Sequence, residues 1–416
     1  MHLPQELVDH ILDYLADDHA TLRACARVSQ PWLPSSRRHL FAKISLKATS
    51  PHNGPADPQA RCQRLYKVLQ RTPEVITNIR TLEICEGSPL HHHYSHFQGS
   101  TTWVTTERTL TALLRSLTNV RRFEFAATST LYWTLLPPTF QVALCGLLSL
   151  PSLVYVRLHS WMFPNFAALT GILSHCRNLQ AFALSSTNVG AEGFPDLSVD
   201  TACVQGNEGG AEVAPLPLEA LMLDFVTFPY LDHWLLGQGS LVDIRRLREL
   251  RVAHFHDAHV VETLLLAVGG SLENFHLKPG SWNVHPFNLS HNSGLRSIRI
   301  TLDDPETAMS WATSILTTLT AGCNTALTSI GLEFYADPKK INGWAELDAL
   351  FMRPALASLH QVEIGLFAIP AHVDFISVKD EMRGLGKREI VRWYQLGVKS
   401  QRSSRQLTPR ISTYES

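Results

Sequence analysis

Residues 153–158 read Leu-Val-Tyr-Val-Arg-Leu, and apolar residues at the first, fourth and sixth positions of such a hexamer recur through most of the chain. The last two apolar positions lie two residues apart, as on the buried face of a β-strand. The ten triplets are Ile79/Leu82/Ile84, Val120/Phe123/Phe125, Leu153/Val156/Leu158, Leu179/Phe182/Leu184, Leu218/Leu221/Leu223, Leu247/Leu250/Val252, Leu272/Phe275/Leu277, Leu295/Ile298/Ile300, Leu327/Ile330/Leu332 and Leu359/Val362/Ile364. Each triplet predicts one short buried strand.

The intervals between triplets predict how the strands are connected. Successive triplets begin 23 to 41 residues apart, and many intervals contain a helical pattern, as at residues 61–70, 109–117, 260–268 and 307–319. A strand followed by a helix, repeated at this period, stacks into a parallel sheet with the helices outside it. We therefore predict an α/β fold in which residues 59–370 form a parallel αβ solenoid of about ten irregular repeats. An ordinary α/β enzyme domain with similarly spaced strands is the alternative.

The composition excludes several classes of protein. The 416 residues carry 36 basic and 37 acidic side chains, 45% of the residues are hydrophobic and 18% are charged. A chain this apolar and weakly charged is not mainly disordered. It also lacks the basic excess of a protein that binds nucleic acid by phosphate neutralisation, and its apolar runs are shorter than the ~18 residues of a membrane span. We expect neither a nucleic-acid partner nor a membrane partner.

The cysteines and the first residues indicate a compartment. The seven cysteines are scattered without a C-x-x-C pair, and the first residues contain neither a cationic segment nor a long apolar one. Reduced, buried cysteines without a secretion signal are typical of intracellular proteins. We therefore expect a cytoplasmic or nuclear location, or both.

Residues 1–46 have a helical pattern of their own. Apolar residues recur at three- and four-residue steps from Leu3 to Leu15, which predicts an amphipathic helix. Asp18 is a suitable N-cap for a second helix, and Pro34 can begin a third that runs to Phe41. Three short helices in about 40 residues make too small a core to be stable alone. Their apolar faces must meet either the following domain, as an N-terminal cap, or a partner.

The same residues resemble the F-box. That family's pattern is L-P-x-E-L, then I-L-x-x-L, a second helix ending in V-S or V-C, and a tryptophan shortly after. This chain reads Leu-Pro-Gln-Glu-Leu at 3–7, Ile-Leu-Asp-Tyr-Leu at 11–15, Val-Ser at 28–29 and Trp32. It is most similar to the F-box-like domains numerous in mushroom-forming fungi, where L-R-A-C-x-x-V and W-L-P-x-S-R-x-x-L-F are typical. Pro31 departs from the pattern and predicts an extended backbone at Gln30.

The resemblance implies a partner. F-boxes dock on the SKP-type adaptor of cullin–RING ubiquitin ligases and bury apolar helical faces there. The matching positions, at or beneath that interface, are Leu3, Pro4, Leu7, Ile11, Leu15, Leu22, Cys25, Val28, Trp32, Leu40 and Phe41. We expect Trp32 to be the anchor, because it is large, rigid and near the centre of the motif. Truncation of such an anchor typically costs about 2 kcal/mol or more. The chain would then be a non-catalytic substrate receptor of an SCF-type ligase. The runner-up is an interaction protein that acts outside ubiquitylation.

The repeats resemble leucine-rich repeats, which commonly follow F-boxes, but depart from them in two ways. The asparagine usual three residues after the last leucine is absent at most sites, and Thr187 holds that position in the fourth repeat. The spacing is also irregular, above all across residues 190–217, where we expect an exposed loop. Around the repeats we predict a linker at 47–58, a C-terminal cap at 371–396 with a helix over 381–395, and a disordered tail at 397–416.

Candidate chemistry is limited to histidine clusters. Histidines gather at residues 91–96 and 254–259, the first in a stretch typical of a surface loop and the second directly after a predicted strand. The sequence contains no nucleophile-elbow, zinc-protease, P-loop or dinucleotide-binding motif. We therefore assign no catalytic residue and expect no metal ion and no cofactor.

Outward-facing positions of the later repeats suggest a substrate surface. Arg251, His276 and Arg299 hold the same repeat position in three successive triplets, and Lys278 lies on the face of His276. Neighbouring strands lie about 4.8 Å apart, so the four side chains would form a basic stripe. We hypothesise that the stripe binds an acidic or phosphorylated segment of a substrate. A solvated polar face is the alternative.

Overall fold

The computed structural model describes residues 3–47, 57–86, 103–190, 215–226, 231–237, 240–255, 257–279, 287–304, 307–321, 326–335, 341–367 and 375–396. The chain divides into two compact units, residues 1–216 and residues 217–416, which we call unit 1 and unit 2. Within the described residues, no helix is long and apolar enough to cross a membrane. The predicted linker, the loop at 190–217, the tail and the histidines at 91–96 lie wholly or mostly outside the described residues.

Unit 1 contains a parallel sheet. Its strands, in order of pairing, are β1 (Lys43–Leu46), β2 (Thr81–Glu86), β3 (Arg122–Tyr132), β4 (Tyr155–Phe163) and β5 (Ala181–Ser185). The short β6 (Asn188–Val189) pairs with the end of β4. The helices described in this unit are α1 (Gln5–Tyr14), α2 (His19–Cys25), α3 (Trp32–Leu40), α4 (Pro58–Arg71), α5 (Trp103–Thr106), α6 (Arg108–Ser116), α7 (Pro138–Leu148) and α8 (Phe166–Leu173).

Unit 2 is built in the same way. The two-residue strands β7 (Leu216–Pro217) and β9 (Val242–Asp243) flank its first long strand in the sequence. The parallel sheet runs through β8 (Ala220–Asp224), β10 (Glu249–Phe255), β11 (Asn274–Pro279), β12 (Ser297–Leu302), β13 (Ser329–Phe334), β14 (Gln361–Phe367) and β15 (Val391–Leu396). The described helices are α9 (Leu231–Leu236), α10 (Ala258–Val268), α11 (Ala308–Ala321), α12 (Trp344–Phe351), α13 (Phe375–Glu381) and α14 (Arg383–Lys387).

The apolar triplets form the core of both units. All thirty of their side chains are buried, none more than 4% exposed. In each unit they stand in register on adjacent strands, as Leu82, Phe123 and Val156 do across β2, β3 and β4. The four predicted helical intervals coincide with α4, α6, α10 and α11. The prediction of an α/β fold with parallel strands and intervening helices is confirmed.

The prediction of a helix over 381–395 is wrong. α14 ends at Lys387, and the chain then forms β15, parallel to β14. Asp348 accepts hydrogen bonds from the backbone N–H groups of Gly384 (2.8 Å) and Leu385 (2.7 Å). The Arg388 guanidinium donates to backbone carbonyls that include that of Leu359 (3.1 Å). These bonds hold a short helix against the preceding repeat, and the residues from Val391 onward pair with β14 as a strand.

Short polar side chains join five of the ten repeats to the repeat before them. In five triplets the residue directly before the first apolar position is serine or asparagine, and its side chain donates to a backbone carbonyl of the preceding repeat. The bonds are Asn119–Thr77 (2.7 Å), Asn178–Pro151 (2.7 Å), Ser152–Val120 (2.9 Å), Ser271–Leu247 (3.0 Å) and Ser358–Leu327 (2.9 Å). The polar signal in this sequence therefore precedes the first leucine, whereas the leucine-rich-repeat pattern places an asparagine after the last one.

In four repeats the backbone is left-handed at the same position, within or directly after the strand. Ser160, Ser186, Phe225 and His254 each lie two residues after the last apolar residue of their triplet and have φ values of 60°, 48°, 49° and 51°. A left-handed backbone costs a non-glycine residue roughly 1–2 kcal/mol. Its recurrence at one position shows that the conformation belongs to the repeat and not to a single loop.

Glu86 holds that repeat position in β2, and its side chain is 2% exposed. Neither carboxylate oxygen has a hydrogen-bond partner among the described residues. Ala127 fills the matching position of β3. Burial raises the pKa of Glu86 to about 7. A carboxyl that is harder to ionise in the folded chain destabilises it increasingly as the pH rises from the ordinary carboxyl pKa to the raised one.

We predict that Glu86→Gln raises the free energy of unfolding of unit 1 above that of the wild type, and by up to about 3 kcal/mol more at pH 8 than at pH 5. The reason is that the amide cannot ionise. Denaturant unfolding of the full chain and the variant at both pH values measures the difference. Glu83→Gln, on the opposite face of β2, is the control. Equal pH dependence in the wild type and Glu86→Gln would contradict the prediction.

We also predict that Ser152→Ala lowers the free energy of unfolding by about 1 kcal/mol, because the bond from its hydroxyl joins two repeats. Ser149 is the matched control, since its exposed hydroxyl bonds only to Gly146 O of its own helix (2.8 Å). Thermal unfolding of both variants tests this. A loss from Ser149→Ala as large as that from Ser152→Ala would remove the role given to the inter-repeat bond.

Candidate interaction surfaces

The N-terminal helices share a small core of their own. Val8 and Leu12 of α1 are buried against Leu22 and Cys25 of α2. Leu15, Trp32 and Leu40 are partly buried around this cluster. Asp18 caps α2 by accepting from the N–H groups of Ala20 (3.1 Å) and Thr21 (3.0 Å). One side of α1 is therefore used inside the protein.

A second side of α1 is apolar and exposed. Leu3, Leu7, Ile11 and Tyr14 are 54%, 50%, 41% and 81% exposed, respectively. Leu7, Ile11 and Tyr14, spaced four and three residues apart, lie on one face of the helix, and Leu3 lies directly before its N-cap residue, Pro4. Isolated exposed apolar residues are ordinary, but four such residues together form a contiguous patch, which is typical of an interaction site. We call these four residues the α1 face.

Polar contacts fix the orientation of α1 on α3. Asp9 accepts hydrogen bonds from the Ser35 hydroxyl and from Gln5 Nε2 (2.8 Å). One turn later, Arg38 Nη2 lies 2.8 Å from Asp13 Oδ1. The hydrogen bond from Ser35 lowers the pKa of Asp9. These contacts hold the helix so that its charged side meets α3 and its α1 face points away.

The predicted adaptor-binding residues separate into three groups. Exposed positions are Leu3, Pro4, Leu7, Ile11 and Val28, partly buried positions are Leu15, Trp32, Leu40 and Phe41, and buried positions are Leu22 and Cys25. Trp32 contacts the small core, so its truncation would weaken the fold as well as any interface. Sequence analysis missed Tyr14, which the three- and four-residue spacing from Leu3 would have identified.

The later repeats align Arg251, His276 and Arg299 on adjacent strands. Arg251 is in register with His276, and His276 with Arg299. Lys278 follows on the same side of β11 and lies 5.4 Å above the ring of Tyr335. The row reaches Glu363 of β14 and Arg392 of β15.

Carboxylates on the same face offset the charge of this row. Arg251 pairs with Glu249 of its own strand. Arg299 Nη1 lies 2.8 Å from Glu333 Oε1, and Arg299 Nη2 lies 2.7 Å from Glu363 Oε2. Arg251 and Arg299 therefore belong to ion pairs, of which those of Arg299 form a network, while Lys278 has no carboxylate of the described residues within 4.0 Å. That the residues of the row bind a substrate stays a prediction.

Two glycines make room for this network. Arg299 crosses β13 at Gly331, where an added Cβ would lie 3.3 Å from Arg299 Nε. Tyr394 crosses β14 at Gly365, where a Cβ would lie 2.7 Å from the Tyr394 ring. The two long side chains meet at Glu333, whose Oε1 accepts from the Tyr394 hydroxyl (2.9 Å). Four strands, β12 to β15, are thereby joined by side chains on one face.

His276 lies at one end of the network and contributes no charge to it. Its Nε2 is 3.4 Å from Thr301 Oγ1, which donates to Glu333 Oε2 (3.1 Å). Burial lowers the pKa of His276, and the nearby cations act in the same direction, against the opposing effect of Glu333. The imidazole is therefore neutral at pH 7.

The second histidine cluster has another role. His254 Nδ1 lies 2.8 Å from Asp224 Oδ1, and its ring stacks on Phe225 at 3.8 Å. His259 belongs to the first turn of α10, and His256 lies outside the described residues. In the part of the chain that the structure describes, no three His, Cys, Asp or Glu side chains are grouped so as to hold a metal ion.

We predict that Gly365→Ala destabilises unit 2 by about 1 kcal/mol, because the new methyl group displaces Tyr394 from Glu333. Replacing glycine by alanine in a strand interior otherwise stabilises a protein. A loss of stability from Gly365→Ala would therefore indicate the contact with Tyr394. Tyr394→Phe should cost a similar amount, and the double variant little more than either. Gly146→Ala in α7, where a Cβ meets nothing within 4 Å, is the control and should stabilise. Thermal unfolding measures all four, and stabilisation by Gly365→Ala would contradict the account.

Neither family models nor curated proteins add to this description: no family model matches the chain, and no curated protein matches it.

Proposed function

We propose that this protein is an F-box substrate receptor of an SCF-type cullin–RING ubiquitin ligase. Its N-terminal helices would dock on the SKP-type adaptor, and its repeats would hold a protein substrate. The single observation that carries the proposal is the α1 face, a row of exposed apolar side chains on a helix whose opposite side is already buried.

If the N-terminal helices act as a cap on the following domain, their contacts with that domain explain the burial of other surfaces but not the exposure of the α1 face. Arg37 of α3 lies 3.6 Å from Glu74, which precedes β2. β1 pairs directly with β2. The N-terminal helices are thus attached to the rest of unit 1 through α3 and β1. Leu7 and Ile11 of α1 stay exposed. An adaptor docked on α1 would cover them.

We propose further that the repeats form a leucine-rich-repeat-like solenoid. The in-register triplets and the serine and asparagine bonds between successive repeats support this, because each repeat then depends on its neighbour in the same way. An ordinary α/β domain requires no such recurrence. The irregular intervals make a regular horseshoe less suitable as a description.

The mechanism would be proximity. A receptor that holds the adaptor at one end and a substrate along its repeats raises the effective concentration of substrate at the ligase, without chemistry in this chain. No metal or cofactor enters such a mechanism, and the proteins involved are cytoplasmic or nuclear.

The F-box protein that acts outside ubiquitylation remains the second candidate, favoured by the same α1 face. An α/β enzyme with a helical cap is the third, and has no observation of its own. Co-purification of cullin with the adaptor, and ubiquitylation that depends on cullin, separates the first candidate from the second.

We predict that Leu7→Ser/Ile11→Ser reduces capture of a purified SKP-type adaptor by roughly tenfold or more, because two apolar contacts are lost from the interface. The same double variant should keep the thermal stability of the wild type, since both residues are exposed. Trp32→Ala does not separate binding from folding, because Trp32 contacts the small core.

Val142→Ser/Leu266→Ser is the matched control, since these side chains are 63% and 62% exposed on α7 and α10. It should capture the adaptor as the wild type does. The proposal fails if the wild type captures no adaptor, or if the control loses as much as the α1 variant.

A further inference from the structure

Arginines line the amino-terminal edge of the sheet in unit 1. Arg71 and Arg115 lie in the last turns of α4 and α6, which pack against each other. Arg80 and Arg121 directly precede β2 and β3, and Arg177 precedes β5. All five residues are exposed. We call them the basic edge.

The backbone brings these residues to neighbouring positions. The carbonyl of Arg80 accepts from the N–H of Arg121 (2.7 Å) and from that of Arg122 (3.0 Å). The same contact is repeated two strands on, where the carbonyl of Val154 accepts from the N–H of Gln180 (3.0 Å). Since adjacent strands lie about 4.8 Å apart, Arg80 and Arg121 project side by side.

The charges of the basic edge are not offset within the described residues. No carboxylate of those residues lies within 4.0 Å of any of the five guanidinium groups. The acidic residue nearest in sequence to Arg71 is Glu74, which lies 3.6 Å from Arg37. The one nearest to Arg80 is Glu83, which lies 2.6 Å from Lys43.

On the corresponding edge of unit 2, Arg245 lies 2.9 Å from Asp243 and Arg248 lies 3.9 Å from Glu273. Arg296, directly before β12, has no carboxylate of the described residues within 4.0 Å, so pairing on that edge is partial.

Helix stability explains only part of the basic edge. A cation in the last turn of a helix interacts favourably with the helix dipole, which accounts for Arg71 and Arg115. Arg80, Arg121 and Arg177 lie outside the helices, so this effect does not place them there. Unpaired like charges at adjacent positions repel one another, and an anionic ligand relieves that repulsion.

We propose that the basic edge docks an acidic segment of a partner protein. Guanidinium groups bind carboxylates with two parallel hydrogen bonds, and a row of them suits a segment with several Asp or Glu side chains. Single-stranded nucleic acid is less suitable, because its bases stack on exposed aromatic rings. Tyr14, on α1, is the one aromatic side chain among the large exposed hydrophobic residues described in unit 1.

This surface is separate from the α1 face, and the proposal does not depend on adaptor docking. It also differs in place from the stripe expected from the sequence. Two cations of that stripe, Arg251 and Arg299, already meet carboxylates, whereas none of the five arginines of the basic edge meets a carboxylate of the described residues.

The test is fluorescence anisotropy of a labelled dodecapeptide of alternating Glu and Ser, added to the full-length protein at about 50 mM and about 300 mM salt. Binding at low salt that weakens at high salt is expected. Arg80→Glu/Arg121→Glu should bind the peptide roughly tenfold more weakly or worse. Arg80→Gln/Arg121→Gln should show a smaller loss, with thermal stability unchanged.

Arg245→Glu/Arg248→Glu is the matched control, since these side chains are 78% and 63% exposed and ion-paired on the edge of unit 2. It should bind within about twofold of the wild type. The proposal is overturned if the wild type does not bind the peptide or if the control loses as much as the edge variant. It is also overturned if the protein prefers a single-stranded oligonucleotide or phosphatidylserine vesicles to the peptide.

Discussion

The constraint on which the structure depends is the in-register burial of two apolar side chains from each strand. Because Leu250, Phe275 and Ile298 stand in line across β10, β11 and β12, every other position of the repeat is also aligned with its equivalents. Apolar residues form rows inside, alternate residues form rows on the opposite face, and residues before the strands form an edge. The position of a residue within its repeat therefore determines which surface it reaches.

Much of the fold could be predicted from the spacing of the apolar triplets. The strands that lack a triplet, β1 and β15 among them, could not. β15 contains Val391 and Trp393 in alternation but lacks the full triplet. The residues before it, which include Gly384 and Gly386, have the pattern of a weak helix. Hydrogen bonds of Asp348 and Arg388 to residues far away in the sequence fix the helix that leads into β15. Periodicity does not reveal such bonds. β1 was missed for a similar reason, because it follows helices whose pattern is stronger.

The surfaces were less predictable than the core. α1 is apolar on two sides, and the sequence does not indicate which side meets Leu22 and Cys25. The neighbours of Arg299 could be placed in one row, but its partners Glu333 and Glu363 come from strands 34 and 64 residues later. Local charge counts therefore indicated a basic stripe where long side chains cross Gly331 and Gly365 to form ion pairs. Cations without a carboxylate partner among the described residues occur at the edge of unit 1.

We propose that a SKP-type adaptor covers the α1 face. Hydrogen–deuterium exchange of the full-length protein, with and without purified adaptor, tests this most directly. The account predicts slower exchange of the backbone amides of α1 when the adaptor is added, with the strands of unit 2 unchanged. Unchanged exchange in α1 at saturating adaptor, or protection confined to the repeats, would contradict it.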